Sequence, residues 1–269
     1  MKQTALQNLP RTIAWLSFFS LILLAWGVLF AMSAGMGMDA AGKGRIADLL
    51  VQYMMPAGPA NLASFGVVYA MWALMIAAMM GPTFIPTAQS FEDLIGAGAA
   101  TRTGFVGLVA GYLLVWSGFA AIFAAAQMAM QSQGWLDMLG ASASGWLTFG
   151  LLAVAGVYQF TATKEGCLTK CRSPMTFFIG HWRGGMLGGI RMGADLGVYC
   201  LGCCWAMMSL GFVGGVMNLV WMGVATLIMT LEKLPDIGRK ITRPLGAAFL
   251  LAALLVGADN LGVFDWRML

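Results

Sequence analysis

Apolar residues run in seven blocks along this chain, at roughly residues 12–32, 65–86, 104–128, 145–163, 194–211, 213–231 and 245–263. Most blocks approach the length that a bilayer-crossing helix needs, and polar stretches separate them. The fifth and sixth are shorter and are joined through Gly211-Phe212-Val213-Gly214-Gly215. That run predicts a tight antiparallel hairpin or, alternatively, one long kinked element. Between the first two blocks Ile46, Leu49, Leu50, Tyr53 and Met54 repeat at i, i+3, i+4, i+7 and i+8. This is the stripe of a short amphipathic helix lying on the membrane surface or capping a bundle. The pattern predicts an all-α fold, a polytopic transmembrane helical bundle of about 7 spans forming a single domain over residues 1–269.

Composition agrees. The chain is 60% hydrophobic and 10% charged, with a mean hydropathy of +0.81, whereas soluble domains carry about 25% charged residues. A net charge of +4 is too small to indicate a nucleic-acid partner and reads instead as topology information. With the N-terminus inside, the inner segments hold Lys2, Arg11, Arg102, Lys164, Lys170, Arg172, Arg183, Arg191, Lys233, Arg239, Lys240 and Arg243. The outer segments hold only Lys43, Arg45 and Arg267. Basic residues favour the cytoplasmic side, so the N-terminus is predicted inside and the C-terminus outside. Ala31-Met32-Ser33-Ala34 resembles a signal cleavage site. The apolar run before it exceeds the usual signal core of about 7–15 residues, which predicts a retained span.

All five cysteines lie close together in sequence, as Cys167-x-x-x-Cys171 and as Cys200-Leu201-Gly202-Cys203-Cys204. On a helix, i, i+3 and i+4 share a face, so Cys200, Cys203 and Cys204 point the same way, and Met207 and Met208 continue that face. The predicted topology puts Cys167 and Cys171 in a basic cytoplasmic loop and the triad in the inner half of the fifth span. The second span ends in Met79-Met80-Gly81-Pro82 on the same side, with Met71, Met75 and Met79 on one face. Thiolate with thioether selects Cu(I), whereas four tetrahedral thiolates would suit Zn(II). A Cu(I) site of three thiolates carries negative charge inside the bilayer and needs basic groups nearby, for which Arg191, Lys170 and Arg172 are candidates. Gly202 allows a neighbouring helix or a ligand to come close.

Several motifs carry a resemblance. They are Met79-Met80-Gly81-Pro82-Thr83; Tyr158-Gln159-Phe160-Thr161 with Lys164, Cys167-Leu168 and Cys171-Arg172-Ser173-Pro174; Gly197 through Trp205; Gly215-Val216-Met217-Asn218; Trp221-Met222; and Glu232-Lys233. Over roughly residues 65–235 the chain resembles the bacterial integral membrane family DUF2182, described as predicted metal-binding membrane proteins. The resemblance implies the bacterial inner membrane, a metal site on Cys167, Cys171, Cys200, Cys203 and Cys204, and copper as the metal.

The remaining residues carry blander readings. Most of the 22 methionines serve as flexible apolar filler. An outer set of Met32, Met36, Met38, Met54, Met55, Met128 and Met130 fits interfacial packing, or Cu(I) capture at the far end of a transfer path. His181 reads as a solvated loop residue, Asn218 as a mid-span hydrogen-bonding group, Asp195 as a helix-start cap and Glu232-Lys233 as an ordinary helix-end pair. No Walker A, GxSxG or HExxH pattern occurs, which removes the common hydrolases. Three functions follow. The first is a non-catalytic copper-binding protein for transport, storage or delivery, with a copper-donor or copper-acceptor protein as partner. Its metal ligands are the five cysteines with Met79, Met80, Met207 and Met208. The alternatives are a membrane thiol–disulfide oxidoreductase and a structural or assembly subunit.

Overall fold

The structure is a computed structural model that describes residues 2–35, 62–137 and 139–262. Its helices are α1 (Lys2–Gly35), α2 (Leu62–Gly96), α3 (Arg102–Ser132), α4 (Gly145–Tyr158), α5 (Ala162–Arg172), α6 (Pro174–His181), α7 (Gly185–Ser209), α8 (Gly211–Gly214), α9 (Leu219–Glu232) and α10 (Pro235–Asn260). All seven apolar blocks are helical over most of their length. Five stretches are long and apolar enough to cross a membrane: Trp15–Ser33 of α1, then α2, α3, α7 with α8, and α10. The pair α4–α5 would make a sixth, bent by 65°, and α9 is apolar but shorter at 14 residues. The amphipathic stripe of residues 46–54 lies outside the described residues, as do Met36, Met38, Met55, Lys43, Arg45 and Arg267.

Aromatic hydrogen bonds fix the first three helices. α1 runs antiparallel to α2, with Trp15 Nε1 donating to the Glu92 carboxylate at 2.7 Å and Trp26 Nε1 donating to the Ala78 carbonyl at 3.1 Å. Proline explains the second bond. Pro82 has no N–H to give to the carbonyl four residues back, which is that of Ala78, and Trp26 supplies the missing donor. With Pro82 tolerated in this way, α2 runs on through Pro86 to Gly96 instead of ending near residue 86. α3 returns antiparallel to α2. Trp72 Nε1 donates to Gln127 Oε1 at 2.8 Å near one end, and the Phe84 and Tyr112 rings meet at 4.6 Å near the other.

The tightest pair is α3 with α7, which run parallel. A Cβ on Gly107 or Gly111 would strike the carbonyl of Met186 or Ile190. A Cβ on Gly189 or Gly193 would strike the carbonyl of Gly104 or Leu108. Small residues at four-residue spacing let two backbones touch, which is how helices associate where lipid removes the hydrophobic drive. α4 and α10 pair antiparallel, with Gly145 beside Asn260 and Gly156 against Leu250.

The long helices alternate in direction, and charge segregates with them. All the described lysines and arginines fall at the pole where α1 begins, α2 ends and α5 and α6 lie; the opposite pole carries none among the described residues. Three placements differ from expectation. The Cys167-to-Cys171 segment is helix α5, capped by Thr161 Oγ1 accepting from Lys164 N, and not a loop. Asn218 sits at the N-cap of α9, where its side chain accepts from Trp221 N at 3.1 Å. It begins a helix rather than lying within one, because Gly215 breaks the apolar run with a φ of 88°. Asp195 lies inside α7, 3.8 Å from Arg183 on the surface, and caps nothing.

Candidate metal centre

The i, i+3, i+4 spacing on α7 brings three thiols together. The sulfurs of Cys200, Cys203 and Cys204 lie within 4.8 Å of one another, and the residues are 2%, 1% and 2% exposed. One metal ion with bonds of about 2.3 Å bridges sulfurs up to about 4.6 Å apart, so this triad is close to the span of a single ion. The Cys203 and Cys204 sulfurs are 3.3 Å apart, and Cys203 also donates to the Cys200 carbonyl at 3.1 Å. All five cysteines are free thiols.

The bend between α4 and α5 unites the two cysteine motifs. It folds α5 against α7, so that Cys171 Sγ stands 4.0 Å from Cys203 Sγ. Cys167 Sγ packs on Gly202, where a Cβ would approach it to 2.6 Å. Gly202 is thus small because a thiol occupies the space that its side chain would fill. The elbow is pinned at the same point, with Tyr158 OH donating to the Gly202 carbonyl at 2.5 Å.

Polar groups from three other elements complete the surroundings. Tyr112 on α3 places its hydroxyl 3.1 Å from Cys200 Sγ. Lys233, immediately after α9, donates from Nζ to the same sulfur at 3.0 Å. A small cavity beside Cys200 is lined by Thr83, Thr87, Tyr112, Cys171 and Lys233. Thr83 and Thr87 lie four and eight residues beyond Met79 on one face of α2, so that methionine stands a turn away along the helix. The sulfur of Met80 accepts from Thr83 Oγ1 at 3.8 Å. Met79, Met80, Met207 and Met208 are all buried in the same core. Among the His, Cys, Asp and Glu side chains of the described residues, the group drawn together is the α7 triad.

A corner in the chain aims Lys233 inward. Glu232 is 1% exposed and does not pair with its neighbour; its carboxylate accepts from Lys164 Nζ at 2.9 Å, with Lys164 2% exposed. Arg172 Nε donates to the Glu232 carbonyl at 2.9 Å, and its guanidinium also pairs with Glu165 at 2.8 Å. The end of α9 is thereby bolted to α5, and the next residue projects toward α7. Of the cations expected to serve the cysteines, Arg172 is spent on this bolt, Arg191 is exposed and Lys170 is half-buried in the last turn of α5. Lys233, not among them, is the cation placed against a cysteine sulfur. It was obscured because a charge pair at the end of an apolar helix ordinarily snorkels to the interface. His181 stays apart, its ring stacked on Phe177 at 4.7 Å.

The Lys164–Glu232 pair is expected to be a structural weak point once broken. The second Glu232 carboxylate oxygen already lacks a hydrogen-bond partner among the described residues. Removing one member of a buried pair costs about 3–5 kcal/mol, because the other charge stays buried. Lys164→Ala should lower the unfolding free energy by that order in detergent, and Lys164→Met combined with Glu232→Gln should lose much less. Equal losses for the two variants would contradict the pairing.

A family model, PpoB2, described as copper chaperone, matches residues 69–256. No curated protein and no solved structure matches the chain.

Proposed function

This chain belongs to the PpoB2 copper chaperone family, and on that premise we propose that it carries Cu(I) inside a membrane and passes it to a partner protein. The carrying observation is the buried triad of Cys200, Cys203 and Cys204, with sulfurs within 4.8 Å of one another. Soft thiolates suit Cu(I), and two or three of them suffice for that ion. The DUF2182 resemblance read from the same motifs describes, on this reading, the same group of proteins. Met79, Met80, Met207 and Met208 are proposed as thioether neighbours that supplement the thiols.

The setting proposed is a single multi-pass domain in the bacterial inner membrane, with the N-terminus inside. The segregation of the described basic residues to one pole supports that orientation, since cytoplasmic ends attract Lys and Arg. The centre then lies toward the cytoplasmic side, a reducing compartment. This setting and the free thiols favour metal binding over disulfide exchange.

Within this reading the two cysteine motifs divide the work. The triad holds the ion, and the less buried Cys167 and Cys171 on α5 form the exchange step. Copper moves when Cys171 forms a Cu–S bond as one triad sulfur releases the ion and takes up the proton that Cys171 gives up. Cys171→Ser should leave the copper content of purified protein unchanged. It should slow transfer to a soluble thiol chelator at least tenfold, or about 1.4 kcal/mol in the exchange barrier. Stopped-flow transfer kinetics measures this, and an unchanged rate would remove the relay.

A second reading has one observation in its favour. Cys171 lies 4.0 Å from Cys203 and could complete four thiolates, the donor set of a structural zinc site. Loss of bound metal on Cys171→Ser would support it. Competition between Cu(I) and Zn(II) for the wild-type protein under reducing conditions decides between the readings.

A further inference from the structure

Lys233 occupies a position that ordinary helix-end lysines do not. It is 9% exposed, its Nζ lies 3.0 Å from Cys200 Sγ, and it lines the cavity beside that sulfur. Its neighbour Glu232 is engaged by Lys164, so no carboxylate from that side cancels the ammonium. We propose that Lys233 is a specificity-determining residue, a fixed positive charge that biases the thiol centre toward a monovalent ion and against divalent ones. This rests on the copper-carrying reading and adds to it the basis of selectivity.

The argument is one of charge. For the same set of thiolates, a Cu(I) complex is one unit more negative than a Zn(II) complex, whichever thiols take part. A cation held beside the ligand sulfur stabilises the more negative complex and repels the divalent ion more strongly than the monovalent one. In water the difference would be small. In a buried site, where the effective dielectric constant is lower, a unit charge at hydrogen-bonding distance acts strongly. The surrounding groups do not offset it. Tyr112, Thr83 and Thr87 face the cavity as neutral hydroxyls, and Phe84 and Leu196 are apolar. Thiol chemistry alone does not separate Cu(I) from Zn(II) here, because Cys171 brings a fourth sulfur close enough to suit zinc.

The test loads full-length protein in detergent with Cu(I) and Zn(II) together, anaerobically and with reductant, and measures both metals by elemental analysis. Lys233→Met keeps the length of the side chain without its charge and should shift the bound copper-to-zinc ratio toward zinc at least tenfold. Lys233→Arg keeps the charge and should retain a copper preference. Thr87→Asp adds an opposing charge to the same cavity with Lys233 in place, so it should shift the ratio in the same direction as Lys233→Met, and it serves if that variant fails to fold. A wild-type ratio in Lys233→Met, or in Thr87→Asp where the former does not fold, overturns the proposal. Wild-type protein that binds no Cu(I) would defeat the copper reading itself, a result distinct from copper bound without sensitivity to Lys233.

Discussion

Serine at Cys200, Cys203 and Cys204 together is expected to strip copper from the purified protein to background while leaving the helical content intact. Cysteine and serine are nearly the same size, so the α7 face keeps its packing, and each buried hydroxyl can bond to a carbonyl one turn back. What changes is the ligand. A soft thiolate becomes a hard, neutral hydroxyl that Cu(I) does not favour. The apparent affinity should fall at least a thousandfold, about 4 kcal/mol, measured by competition with a Cu(I) chelator alongside elemental analysis and circular dichroism. Single serine variants should weaken binding less, since two thiolates still hold the ion. Copper retained by the triple variant would move the site away from α7 and toward the methionines of α2.

Gly193→Leu should have the largest effect on folding. A Cβ at this position meets the Leu108 carbonyl across the α3–α7 contact, and Gly111 makes the reciprocal contact with Ile190. Overpacking a core costs about 1–3 kcal/mol when side chains can move aside. Here the obstacle is backbone, so the helices must separate along their whole parallel interface. The change should abolish recovery of monodisperse protein from membranes, read by size-exclusion chromatography. Gly118→Leu on α3 meets open space within 4 Å and should be recovered normally.

The sequence makes the helical bundle and the triad legible for one reason: both depend on local periodicity. Apolar blocks mark the helices, and i, i+3, i+4 spacing puts Cys200, Cys203 and Cys204 on one face whatever surrounds them. Elements that depend on a change of direction are harder to read. The segment from Cys167 to Cys171 is polar and basic and reads as a loop, yet Thr161 caps a helix there and the 65° bend lays it on α7. Asn218 reads as mid-span because residues around it are apolar, while the turn at Gly215 makes it a cap. Lys233 is the clearest case. Its meaning comes from Glu232 being held by Lys164 and Arg172, two contacts across more than fifty residues that no local pattern encodes.

The corner at Glu232-Lys233 also sets an order of events. As the chain is synthesised, α7 with its three thiols is made before the residue that faces them with a positive charge. The bolt from α5 waits as well, since Lys164 and Arg172 find their partner only at the end of α9. Until then the thiols lie open to any soft metal, without the charge that biases them. The proposed centre is therefore completed late in synthesis, and on the proposed reading selective metal acquisition belongs to the finished chain rather than to the nascent one.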